Sequence, residues 1–169
     1  MDFILIKGTE GKLTIEGESN LLEYIITEVD GGVLKIKTEN NISLRPSYNK
    51  TITITIPFED IEYVSLSGSG DVVLDVDANE INASVTGSGD LTLRGKTTQL
   101  KTSVTGSGDF HGYKLDAIDV DAKVTGSGDI EIICNGNLKA RVTGSGDIEY
   151  KGAPKTEDSK VMGSGSIGN

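Results

Sequence analysis

Cysteine, histidine, tryptophan and long apolar runs are scarce or missing in this chain, and each scarcity removes a class of protein. Cys134 is the only cysteine in 169 residues. No intrachain disulfide can form, and a lone thiol beside Ile132 and Ile133 reads as a small core residue. His111 is the only histidine. A Ser-His-Asp or Cys-His arrangement would depend on it alone, and no nucleophile motif surrounds it; we expect an outward side chain on one rung. No stretch approaches the roughly 18 apolar residues of a membrane-spanning helix. Basic residues are outnumbered 26 to 16, for a net charge of −10. That excludes the concentrated basic face a nucleic acid requires, and fits cations or neutral glycans better. Met1 runs directly into Asp2 and the strand-like Phe3-Ile4-Leu5-Ile6, with no signal peptide ahead of it. The expectation is a cytosolic protein or the mature segment of an exported one. Trp is absent and aromatics make up 5%, so Val, Ile, Thr and Leu carry the pattern, as strands prefer.

What the chain has instead is a repeat. The signature T-G-S-G-D recurs with slight drift, its first glycine at Gly68, Gly87, Gly106, Gly126, Gly144 and Gly163, in steps of 19, 19, 20, 18 and 19 residues. A period of this size, rich in turn residues, marks a solenoid whose units bury a core only by stacking. The residue before each signature is Leu66, Val85, Val104, Val124, Val142 or Val161. Two positions earlier the column is mostly small: Val64, Ala83, Thr102, Ala122, Ala140 and Ser159. Four earlier come Ile81, Leu100, Val120 and Leu138. After the signature Val72, Leu91, Phe110, Ile130, Ile148 and Ile167 align, and two further on Leu74, Leu93, Gly112, Ile132 and Tyr150. Alternation at period 2 on both sides predicts strands with one buried face.

From Ile81 to Leu93 the parity never breaks, yet a straight strand of that length would span roughly 43 Å, too long for one side of a coil. The chain must bend, and the glycines are where it can. The expected structural corner is therefore Gly68, Gly70 and Asp71 in the first copy, then Gly87, Gly89 and Asp90, then Gly106, Gly108 and Asp109. Gly126, Gly128 and Asp129, and Gly144, Gly146 and Asp147, complete it. Each coil would have a strand before the corner (Asn82–Thr86) and one after it (Asp90–Arg94). A return loop such as Gly95–Gln99 would absorb the slips in period. Outward positions support this register. Lys101, Asp121, Lys139 and Asp158 would alternate in sign at about 4.8 Å, each pair favourable by roughly 0.2–1 kcal/mol. The adjacent column Lys123, Arg141 and Lys160 would repel unless acidic neighbours neutralise it.

Residues 1–50 differ from residues 51–169, which hold the repeats. Ile4–Lys7 and Leu13–Ile15 flank Gly8-Thr9-Glu10-Gly11, a hairpin signal, and Ile25–Val29 and Val33–Lys37 flank Asp30-Gly31-Gly32, a second one. Ser19 ahead of Leu21 and Leu22 predicts a capped helical turn. Residues 45–49 read as a loop, and a strand from Thr51 to Ile56 should stop at Pro57. The first section would cover one end of the solenoid, where bare strand edges invite aggregation.

Tandem T-G-S-G-D units behind Leu21-Leu22-Glu23-Tyr24-Ile25 and Ile42-Ser43-Leu44-Arg45-Pro46, with the closing Gly163-Ser164-Gly165-Ser166-Ile167, resemble the bacterial domain described as putative auto-transporter adhesin, head GIN domain. The resemblance implies an all-β fold, a single-stranded right-handed β-helix (β-solenoid), in an exported protein of the cell surface or periplasm. It implies adhesion or envelope interaction and carries no catalytic residues, cofactor or metal.

The residues leave several chemistries to weigh. Asp71, Asp90, Asp109, Asp129 and Asp147 should stack, and charges about 4.8 Å apart repel by roughly 1 kcal/mol in water and about 3–4 at an effective dielectric near 20. Either each carboxylate accepts backbone N–H groups at the corner, or calcium bridges them, with Asp129, Glu131, Asp147 and Glu149 as ligands. The nine-residue spacing of calcium-binding β-rolls is not matched. The same four carboxylates with Lys123 and Arg141 imitate a polysaccharide-cleaving cluster, and a carbohydrate-active β-helix enzyme is the alternative function. A regular lattice of Thr86, Thr105, Thr125 and Thr143 with Ser88, Ser107, Ser127 and Ser145 could order water or a glycan. The partner expected is a protein or glycan of the envelope. A second copy, or a neighbouring domain, should cover the C-terminal edge, where Ser166 replaces the aspartate beyond the polar segment Lys151–Lys160 with Pro154.

Overall fold

Branched and small side chains alternate along most of this chain, and in the computed structural model, which describes residues 1–40 and 42–169, they form strands. Strand makes up 65% of the chain and helix 2%, arranged as a β-solenoid of about six turns. In the N-terminal section lie β1 (Asp2–Lys7), β2 (Thr14–Glu16), the helical turn α1 (Ser19–Leu22), β3 (Ile25–Asp30) and β4 (Val33–Thr38). The repeats begin with β5 (Thr53–Phe58), β6 (Tyr63–Gly68), β7 (Asp71–Gly87), β8 (Leu91–Gly106) and β9 (Phe110–Gly126). They continue as β10 (Ile130–Cys134), β11 (Asn137–Gly144), β12 (Ile148–Lys151), β13 (Thr156–Gly163) and β14 (Ile167–Gly168).

The coils stack in parallel along the aligned columns. β7 and β8 pair in one register from Val72 with Leu91 to Gly87 with Gly106. Leu91, Phe110, Ile130 and Ile148 are all fully buried, as are Val104, Val124 and Val142, while Val161 of the last coil is 39% exposed. The column Ile81, Leu100, Val120 and Leu138 is buried as well. Burying a branched side chain contributes about 1.5–3 kcal/mol, and each coil repeats that contribution. Outside, Lys101, Asp121, Lys139 and Asp158 fall in one column as expected. Only Lys139 and Asp121 close directly, at 2.8 Å. Lys101 instead meets Glu80 at 2.8 Å, and Arg141 takes Asp158, which neutralises the middle of the basic column.

Three expectations fail in the coils. The return segment is no loop: Asp75–Ala78 pairs with Arg94–Thr97 as a further side of the ladder. Its inward residues Val76, Thr97, Leu115 and Ala117 are buried, and the Thr97 hydroxyl donates to the carbonyls of Asn79 (3.3 Å) and Gln99 (3.1 Å). Nor does this segment absorb the 20-residue step. That slip lies after the corner, between Thr92 and Arg94, where β9 carries an extra residue. Gly112 makes room for the bulge: a Cβ there would meet the Glu131 carbonyl at 2.7 Å. Finally, β5 does not stop at Pro57, which lies in register with Ile6. β2 reaches only Thr53–Thr55, so Pro57 lies past the end of that ladder, where a strand tolerates a missing N–H.

At the N-terminal end β1 lies between β5 and β7, parallel to both, and β2 runs antiparallel on the far side of β5. The first hairpin is therefore not formed, because β5 takes the place between its two strands. The second hairpin is: β3 and β4 pair around Gly31 and Gly32, with φ of 58° and 79°. Such a two-residue turn needs positive φ at both positions. α1 forms without a side-chain cap from Ser19; its N-cap is Glu18, whose carboxylate instead accepts the Ser47 backbone N–H and hydroxyl, both at 2.7 Å.

Candidate functional site

The signature builds its geometry from backbone first. Gly87 carries φ of 122°, a conformation that side chains with a Cβ rarely adopt. Its carbonyl then accepts two N–H groups from the next coil, those of Ser107 at 2.8 Å and Gly108 at 3.0 Å. Such close stacking leaves no space for a side chain: a Cβ on Gly89 would lie 2.1 Å from the Gly70 carbonyl oxygen.

Aspartate completes the turn. The Asp71 carboxylate accepts the backbone N–H of Asp90 (3.2 Å), Asp90 that of Asp109 (3.0 Å), and Asp109 that of Asp129 (2.8 Å). Asp129 accepts that of Asp147 at 2.7 Å. At the last step Asp147 accepts both the N–H (2.6 Å) and the hydroxyl (2.9 Å) of Ser166. Charge-assisted bonds of this kind offset the repulsion within the column.

The four candidate calcium ligands each have a protein partner. Asp129 and Asp147 hold the N–H groups just described, Glu131 meets His111 Nδ1 at 2.9 Å, and Glu149 accepts the Tyr113 hydroxyl at 3.0 Å. Among the described residues a different group has metal-ligand spacing: Asp90, Asp109 and His111, with one ligand atom each within 4.8 Å of one another. The signal in the sequence is His111 two places after an aspartate of the column. Only the pairing of Leu91 with Phe110 brings Asp90 to them.

The cleavage-like cluster is not assembled. Lys123 and Arg141 precede the glycine corner, and the carboxylates follow it. Arg141 is held by the Ala140 carbonyl at 2.9 Å and the Asp158 carbonyl at 2.6 Å, besides the Asp158 carboxylate. The face after the corner carries instead a Tyr113–Glu149–Lys151 group that the sequence does not reveal, because the Gly112 bulge aims Tyr113. Burial, then the Glu149 bond, pushes its phenol up to about 12, and Lys151 Nζ sits 3.7 Å from the ring centroid.

The face before the corner is different in kind. Tyr63, Asn82 and Lys101 form one outward column, Ser65, Ser84 and Ser103 the next, and Ser67, Thr86 and Thr105 a third. Tyr63 stands 55% exposed. The Ser84 hydroxyl donates to that of Ser65 at 2.9 Å, and both hydroxyls, facing the phenol, lower its pKa from the usual value. An open aromatic ring beside an amide and a regular set of hydroxyls can stack on one face of a ligand and hydrogen-bond its edge.

The family described as putative auto-transporter adhesin, head GIN domain matches residues 1–154. A putative adhesin from Bacteroides fragilis NCTC 9343 is similar at 25% identity and a TM-score of 0.77, over 99% of this chain and 87% of that one. A putative lipid binding protein from Parabacteroides distasonis ATCC 8503 follows at 26% identity and 0.62, over the same shares. A putative adhesin from that organism, at 22% identity and a TM-score of 0.58 over 99% and 88% of the two chains, shares the fold. No curated protein matches.

Proposed function

The chain belongs to the putative auto-transporter adhesin, head GIN domain family, and we propose that it is a non-enzymatic module of the bacterial surface or periplasm that binds an envelope glycan on the face around Tyr63. The observation that carries this reading is the half-exposed Tyr63 ring set beside Asn82 and the Ser65–Ser84 hydroxyl pair. Tyr63 stands more than half exposed beside hydroxyls that the ladder holds in a regular column. The solenoid holds them on a rigid ladder, so little ordering is needed when a sugar docks.

The test is an array of neutral envelope oligosaccharides probed with the 169-residue protein and with Tyr63→Ala. Binding that weakens about tenfold or more in Tyr63→Ala, as loss of an aromatic anchor does, with no new reducing ends released, supports the reading. Binding indifferent to Tyr63, or turnover of the sugar, sinks it. A second reading rests on the β3–β4 hairpin, whose tip exposes Val29 (74%), Val33 (46%) and Leu34 (38%). With a relative described as lipid binding, that tip is the place where a lipid would meet apolar surface. Co-sedimentation with phosphatidylcholine vesicles, lost in Val29→Asp, would favour it.

A further inference from the structure

β13 is exposed along its whole length and has one ladder partner, β11. Its other edge offers backbone N–H and C=O groups to which none of the described strands pairs. Such an edge is a template for another strand, and the side chains on it select which. Asp158 and Lys160 point to the same side, one on each flank of Ser159, in the outward columns of Lys139 and Arg141. Lay a second copy antiparallel on this edge, centred on Ser159. Asp158 of each copy then faces Lys160 of the other on one surface of the new pair, while Glu157 meets Val161 and Thr156 meets Met162. Opposite charges directly across a pair are favourable, and like charges are not. A parallel copy in register would set Asp158 against Asp158 and Lys160 against Lys160. Arg141 holds only Oδ2 of Asp158, which leaves Oδ1 for the lysine. Val161 and Met162, 39% and 53% exposed, lose water in the antiparallel arrangement.

The opposite end of the solenoid presents a different surface. β2 runs antiparallel across β5, and Gly17, just ahead of α1, packs so close to Ile52 that a Cβ there would sit 3.0 Å from its side chain. β2 and β6 also have one ladder partner each, but the charges along β13 complement those of β13 itself, and a self-complementary edge closes as a twofold rather than an open filament. We propose that the chain forms a dimer, tail to tail, by antiparallel pairing of β13 about Ser159. The proposal is independent of which ligand the Tyr63 face takes.

Sedimentation velocity over a dilution series tests it. The protein should pass from dimer to monomer on dilution, and Lys160→Glu should weaken the dimer about tenfold or more by setting acid against acid. Within one copy that glutamate stacks beside Arg141, so the fold is not penalised, and circular dichroism should be unchanged. The double variant Asp158→Lys with Lys160→Glu gives up the Arg141 pair within each copy but restores opposite charges across the twofold, and where its circular dichroism matches the native protein it should restore the dimer. Independently, Ser159→Cys should cross-link copy to copy with a short bismaleimide, and Thr105→Cys in the middle of the solenoid should not; Cys134 is buried and stays silent. A protein monomeric at every concentration up to about 1 mM, a dimer indifferent to Lys160→Glu, or equal cross-linking from Thr105→Cys overturns the proposal.

Discussion

Gly89 and Thr86 lie three residues apart on one corner, and the same substitution separates their roles. Valine at Thr86 replaces an exposed hydroxyl and should change stability by under about 0.5 kcal/mol. Valine at Gly89 drives its Cβ to 2.1 Å from the Gly70 carbonyl oxygen. Backbone cannot swing aside as a flexible side chain does, so we expect a loss of about 2 kcal/mol or more in urea unfolding. Equal losses at the two positions would show that the turn does not depend on glycine. Tyr113 offers a second test at this scale. Its folded pKa of about 12 lies above the ordinary 10.0, so the fold favours the neutral phenol. That contribution is complete below pH 10 and is lost as pH rises through about 12. The melting temperature of the native protein should therefore fall more steeply between those limits than that of Tyr113→Phe; parallel curves would mean that the phenol is not coupled to folding.

Elements were legible wherever one residue type had to repeat. The columns of Leu91, Phe110, Ile130 and Ile148 and of Val104, Val124 and Val142 followed from spacing alone, because parallel stacking places equivalent residues on top of one another. Gly31-Gly32 marked its hairpin for the same local reason. The misreadings share a cause too. Gly8–Gly11 looked like a hairpin turn, but β1 has better partners on both sides in β5 and β7, and no local pattern encodes a strand that enters from fifty residues away. The return segment looked like a loop because Gly95 and Lys96 interrupt its apolar alternation, yet Val76, Thr97 and Leu115 pack inward across three coils. At the candidate site the aspartate column was readable, while the approach of Asp90 to His111 and of Tyr113 to Glu149 depends on register and a bulge. The core column gives the test at this scale. Ile130→Ala should cost about 2–5 kcal/mol, since coils pinned above and below it cannot collapse into the cavity. A loss under about 0.5 kcal/mol would contradict the full burial of that column.

Across the whole molecule the charges form a problem of their own. The net charge is −10, and five aspartates run in a line up the stack. Their N–H partners fix each carboxylate in place but leave its charge, so neighbouring carboxylates still repel. Salt screens such charges, with a Debye length of about 30 Å at 0.01 M and about 3 Å at 1 M. Melting temperature should accordingly climb as sodium chloride is raised over that range. Calcium separates this diffuse effect from a bound ion. If the column is satisfied by backbone N–H groups, millimolar calcium at constant ionic strength adds nothing beyond sodium, and chelator removes nothing. Asp109→Asn is the internal control. It keeps an oxygen to accept the Asp129 N–H but deletes the central charge, so it should flatten the salt dependence while leaving the fold intact. A rise of several degrees with calcium, reversed by chelator and abolished in Asp109→Asn, would instead place a metal on the oxygens of the aspartate column. The outward line of carboxylates would then be a ligand-binding feature of the molecule as well as a device of its folding.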